Sequence, residues 1–153
     1  MSAIASVKSK SYSGKWEYLN LVHDPEKETK AWCAGHSSPC RIFNPNILNH
    51  NGYLVGIMNG REKTKEVNGK KYYGKFRPGL FLFDNESGDI IWVANEPLFE
   101  DPIATTITFA SELISLSKKE AILYAHPNDS FVRAYRINVE SLKRMLPRKI
   151  KAP

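Results

Sequence analysis

From Arg77 to Ile137 the chain alternates short apolar runs with turn-forming residues, and this alternation restricts the fold more than any other feature of the sequence. Gly79-Leu-Phe-Leu-Phe-Asp84 is an apolar strand that stops at Asn85-Glu-Ser-Gly88, residues that tolerate a tight backbone. Asp89-Ile-Ile-Trp-Val-Ala94 returns as its partner, and a connector carrying Pro97, Asp101 and Pro102 follows. Residues 106–114, a Lys118-Lys119 turn, residues 121–125, a polar bend at His126-Pro-Asn-Asp-Ser130 and residues 131–137 complete the series. Strands this short, joined by turns of this chemistry, imply antiparallel sheet.

The first half contains a looser copy of the same unit. Ser13-Gly14, a Trp16-bearing apolar strand and Asp24-Pro25 match Ser87-Gly88, the Trp92 strand and Asp101-Pro102 in order and character. The offsets are 74 residues at Ser13/Ser87 and 77 at Asp24/Asp101, so the copies run nearly in step. Phe43-Asn-Pro-Asn-Ile-Leu48, a turn and Gly52-Tyr-Leu-Val-Gly-Ile57 then match the pair 109–114 and 121–125. A repeat of about four strands points to a propeller-like array of small sheets. The expected fold is therefore all-β, about two antiparallel propeller-type blades, with a short C-terminal helix.

That helix is expected over Val139–Met145, with Asn138 as its N-cap, Glu140 in the first turn and Lys143-Arg144 in the last. Pro147 ends it. Residues 1–12, rich in Ser and Lys, read as a flexible tail, residues 13–147 as the blade segment and residues 148–153 as a basic tail. The long polar excursion from Gly60 turns at Asn68-Gly69 and resumes in Lys70–Arg77, alternating basic and aromatic residues.

At 153 residues the chain makes one domain with a real core. No apolar run approaches the roughly 20 residues of a membrane helix, and residues 1–8 lack the pattern of a signal peptide. A cytoplasmic location is the resulting expectation. Charge is unevenly placed: residues 1–77 carry 13 basic against 6 acidic side chains, residues 78–140 carry 4 against 10, and residues 141–153 carry 5 against none. The basic end attracts anions, but it lacks the interleaved aromatics of a single-strand binder, so nucleic acid is not an expected partner.

Cys33, His36 and Cys40 have part of the spacing of a zinc site, with His23 or His50 available to complete it. The paired Cys-x-x-Cys or His-x3-His signature is missing. The expectation is two free cysteines at a sheet edge, no disulfide in a reducing compartment, no zinc at Cys33 and Cys40, and no cofactor. A metal-stabilised domain on Cys33, His36 and Cys40 is the competing reading.

The residues Phe43-Asn44-Pro45-Asn46-Ile47-Leu48 with Asn51-Gly52-Tyr53-Leu54-Val55 resemble the strand-turn-strand signature of five-bladed β-propeller glycosidases. Residues 123–137 with the short helix are similar to the closing blade of the β-mannoside phosphorylase family. The resemblance covers about residues 40–147 and implies a carbohydrate-active segment whose ligand is a sugar or glycoside. Asn44 stands where many such blades carry Asp, and these families place the catalytic carboxylate in an earlier blade. The implied segment is thus not catalytic alone, and it completes its ring by self-association or with a chain that supplies the missing blades. Asp129 matches the turn acid that faces the sugar in the closing blade. His126, beside it, suits a hydroxyl or phosphate, and Arg61 and Arg77 offer forked donors for an anion. Trp16, Trp32 and Trp92 either stack on a sugar or are buried between blades. The alternative function is a small all-β binding module with basic ends that meets an anionic partner.

Overall fold

A computed structural model describes residues 2–150. In chain order the strands are β1 (Ile4–Lys8), β2 (Glu17–His23), β3 (His36–Ile42), β4 (Asn49–His50), β5 (Tyr53–Arg61), β6 (Lys65–Val67), β7 (Lys70–Tyr72), β8 (Phe76–Asp84), β9 (Asp89–Val93), β10 (Thr108–Ser115), β11 (Glu120–Pro127) and β12 (Arg133–Asn138). A 3-10 turn (Ala31–Cys33) precedes β3, and α1 (Val139–Met145) closes the order. The protein is all-β, with antiparallel strand pairing throughout its sheets and one short C-terminal helix. Among the described residues no helix is long and apolar enough to cross a membrane.

The central sheet has the order β3-β5-β8-β9, and β4 pairs with β5. β8 occupies one flank of β5 from Leu54 to Arg61, so β3 and β4 share the other flank. Period-2 alternation along β8 sends Leu80 and Leu82 to one face and Phe81 and Phe83 to the other. On the first face lie the second sheet, β10-β11-β12, and the helix, whose Ala110, Leu123, Ile137, Val139 and Leu142 complete the larger core. On the second face the β1–β2 ribbon and the 3-10 turn cover Met58, Phe81 and Val93 with Ile4, Trp32 and Cys33. Both faces of β8 are thus covered by other elements of the same chain.

Trp32 is the largest piece of that second cover. Its indole N–H donates to the Ala94 carbonyl at 2.9 Å. The ring lies on Gly60 and Gly79, where an added Cβ would approach it to 2.5 and 2.2 Å. The face-to-face sheets are locked by Asn59, fully buried, whose amide donates to the Ala110 carbonyl (2.9 Å) and accepts from the Ala110 N–H (2.7 Å). A side chain here makes the pair of bonds a neighbouring strand would make. Arg41 of β3 and Glu112 of β10 add a two-pronged ion pair at 2.7 Å on the surface.

Two sequence expectations are corrected. Residues 1–12 contain a paired strand, because Ile4 is buried and the ribbon register sets Ala5 against Leu21 and Val7 against Tyr18. Residues 43–48 form a turn rather than a strand: the Asn44 side chain accepts from the Asn46 N–H, and buried Phe43 and Leu48 pin the two ends. Pro45 removes a ladder donor at the same place. Cys33 lies in the 3-10 turn, whereas Cys40 stands, as expected, as a free thiol at a sheet edge, on β3. That strand accommodates Pro39 because β3 is an edge strand with a bulge between Pro39 and Arg41. The helix and its Asn138 cap, which accepts from the Ser141 N–H at 2.9 Å, stand as expected. The basic end of the chain is described only to Ile150, which packs on the larger core, and residues 151–153 of the expected basic tail lie outside the described residues.

Candidate functional site

Strand register builds a row of half-buried side chains across one end of the molecule. His36 of β3 pairs with Arg61 of β5, and Arg61 pairs with Phe76 of β8, so all three project from one face. The His36 and Phe76 rings meet edge to face at 5.1 Å, and the Arg61 guanidinium sits 5.4 Å from the Phe76 ring centroid. Phe76 then meets Phe109 of β10 at 5.6 Å, and Phe109 is the cross-strand partner of His126 on β11. A single parallel bridge between Phe76 and Ile107 and the Phe76 N–H bond to the Thr106 carbonyl (3.0 Å) bring the two sheets together at this corner.

Arg61 is the member with an unmet hydrogen-bonding group. Its Nε is buried and lacks a hydrogen-bond partner among the described residues, a deficiency that ordinarily costs about 1–3 kcal/mol. Burial, followed by the positive charge of Arg61, holds the His36 pKa below the usual histidine value, which favours the neutral ring. The row therefore presents a forked cation, two phenyl faces and imidazole nitrogens. Such a set stacks on the CH face of a ring, donates to oxygen atoms and neutralises an anionic group.

Two of the four site residues expected from sequence, Arg61 and His126, belong to this row. Arg77 projects from the other face of β8 and is committed to ion pairs with Glu62 and, at 3.6 Å, Glu100, which also pairs with Lys75. Asp129 lies in the bend with φ 53°, exposed, while its neighbour Asn128 does the holding. The Asn128 side-chain Oδ1 accepts from the N–H groups of Thr105 (2.8 Å) and Thr106 (3.2 Å), and its Nδ2 donates to the Ile103 carbonyl (3.0 Å). Trp32 is structural, Trp92 packs at the edge of the larger core, and Trp16 is exposed on the loop before β2.

Behind the row, Asp101 is buried and fully engaged. Its Oδ2 accepts from the Tyr135 hydroxyl (2.5 Å) and from Arg133 Nη1 (2.6 Å), and its Oδ1 accepts from the Ile103 N–H (2.9 Å). The Tyr135 hydrogen bond, more than any other contact, holds the Asp101 carboxyl below the usual carboxylate range, while burial and the acid push Tyr135 up to about 12. Because the folded-state pKa lies below the unfolded value of about 3.9, this contribution to stability is complete well above pH 4. It is lost as pH falls through the folded value. Asp101→Asn is therefore expected to be less stable than the wild type at pH 7, with the gap closing below about pH 4. Urea midpoints at pH 7, 5 and 3 measure it, and a gap independent of pH would contradict this account.

Cys33 and Cys40 are free thiols that burial pushes up to about 12 and about 11. Cys40 lines an apolar groove of ≈ 500 Å³ between the ribbon and the central sheet, and His36 belongs to the aromatic row. Cys33 leaves both and joins His23 and Glu28 at the turn after β2. The aromatic partners in the row were not identified from sequence, because their contacts link strands far apart along the chain. Alternation of Phe76 and Phe109 with buried neighbours was the available signal. Comparison of the chain with models of known families, with curated proteins and with solved structures gave no match.

Proposed function

We propose that the chain is a carbohydrate-recognising β module of the propeller-glycosidase type, equivalent to closing blades and not catalytic alone. The observation that carries this reading is the row of His36, Arg61, Phe76, Phe109 and His126, with its unpartnered guanidinium nitrogen beside two aromatic faces. A sugar offers CH faces to the phenyl rings and hydroxyl oxygens to the donors, and an attached phosphate pairs with Arg61. The acids near Arg77 support recognition rather than cleavage, since Glu62 and Glu100 are held in its ion pairs instead of facing each other across a free gap. Val7, Tyr18 and Leu21 are at least half exposed on the β1–β2 ribbon and form the face on which another copy, or a chain with further blades, packs in this reading.

The same Arg61 nitrogen, without a partner among the described residues, favours the second reading, an anionic partner without a sugar. Calorimetric titration with a β-mannoside, mannose 1-phosphate and inorganic phosphate separates the two. The sugar phosphate is expected to bind most tightly. Arg61→Ala is expected to weaken it about tenfold or more, the value of one charge-assisted hydrogen bond, and Arg61→Lys to restore part of the loss. Equal binding of inorganic phosphate would favour the second reading. Binding that is absent, or insensitive to Arg61→Ala, would remove the first.

A further inference from the structure

Away from the aromatic row, the turn after β2 gathers a nitrogen, an oxygen and a sulfur donor in one buried place. One ligand atom each from His23, Glu28 and Cys33 lies within 4.8 Å of the other two. His23 is only 6% exposed, and its Nε2 has no hydrogen-bond partner among the described residues. The Glu28 carboxylate is held from one side. Its Oε1 accepts from the N–H groups of Thr29 (2.7 Å) and Lys30 (2.9 Å) and from Lys30 Nζ (3.1 Å). Its Oε2 is left 3.8 Å from His23 Nδ1. That gap is too long for a hydrogen bond, yet close to the spacing of two donors that share one ion at about 2.0–2.3 Å. Cys33 is fully buried, and among the described residues its sulfur has only the Lys30 carbonyl, 3.7 Å away, as an acceptor.

We propose that His23, Glu28 and Cys33 form a binding site for a divalent transition metal, with zinc the ion best suited to the donor set. Mixed imidazole, carboxylate and thiolate donors match zinc, whereas calcium and magnesium take oxygen alone. Thiolate and carboxylate together balance the charge of the ion, and the Cys33 proton leaves to solvent as the metal binds. Lys30 stays on Oε1 and orients the carboxylate from outside. A surface hollow of ≈ 460 Å³ lined by His23, Asp24, Lys27, Glu28 and Lys30 provides the route in. The fourth position of a tetrahedral ion falls to water from that hollow. A nucleophilic role for the same three residues is disfavoured, because a substrate would have to reach a sulfur with 0% exposure. The site reverses the sequence expectation for Cys33, and it uses Glu28, which no ligand spacing singled out.

The test is titration of chelator-treated protein with Co²⁺ and then Zn²⁺. One Co²⁺ per chain is expected, with a thiolate-to-metal charge-transfer band that stoichiometric Zn²⁺ abolishes. Cys33→Ser should lose the band and Cys40→Ser keep it. Glu28→Gln retains a carbonyl for the Thr29 and Lys30 N–H groups, so it reports even where Cys33→Ser fails to fold. It removes a charged ligand, so Zn²⁺ binding is expected to weaken by at least the roughly 10- to 100-fold that loss of an outer partner of a ligand costs. No charge-transfer band, a band lost in Cys40→Ser, or unchanged Zn²⁺ affinity in Glu28→Gln would each overturn the proposal.

Discussion

Replacing Trp32 by alanine is expected to destabilise the protein by about 3–5 kcal/mol, the usual range for removing a buried large aromatic side chain. The residue is 3% exposed, fills the space above Gly60 and Gly79, and donates to the Ala94 carbonyl. Truncation loses the apolar contacts of the ring and leaves a cavity floored by glycines, which have no side chains to move into it. It also leaves the Ala94 carbonyl without its donor. Trp32→Phe should recover much of the packing but not the hydrogen bond, and so fall between the two. Urea unfolding followed by far-ultraviolet circular dichroism measures the series. A loss below about 1 kcal/mol in Trp32→Ala would mean that the second face of the central sheet does not depend on this cover.

Asn59→Leu is expected to be comparably harmful although it nearly preserves volume and adds apolar surface. The wild-type amide satisfies both the N–H and the carbonyl of Ala110 inside the sandwich. Leucine satisfies neither, and each stranded backbone group costs about 1–3 kcal/mol, so the sum is about 2–6 kcal/mol. Hydrogen exchange at the Ala110 amide gives a local readout, since that N–H should become one of the fast-exchanging positions of β10. Unchanged protection at Ala110 together with an unchanged urea midpoint would show that the two sheets are held by apolar packing alone.

These two residues also mark where sequence reading succeeds and stops. The β8–β9 and β10–β11 hairpins were legible because apolar alternation and turn chemistry are local, as were Asn138 and the helix it caps. β1 was not, because Ser6 and Lys8 give Ile4–Lys8 too little apolar character by themselves. Only the pairing with β2 makes it a strand. β3 was hidden by Pro39, which an edge position tolerates and a central one does not. In the candidate site, Arg61 and His126 were visible as polar residues at strand ends. Phe76, Phe109 and His36 were not, because what joins them is contact between distant strands. Arg77 looked like a free cation until folding placed Glu62 and Glu100 beside it. Cys33 showed its spacing to His36 and Cys40, whereas its actual neighbours, His23 and Glu28, come from the preceding turn.

The β6–β7 hairpin has a practical consequence. β5 and β8 remain paired out to Arg61 and Phe76, and beyond them the hairpin stands with every strand residue exposed around a left-handed Asn68-Gly69 turn. Neither core draws a residue from it. The hairpin is therefore a natural attachment point: a fluorophore, an affinity peptide or new chain ends introduced at Asn68-Gly69 leave the central ladder intact.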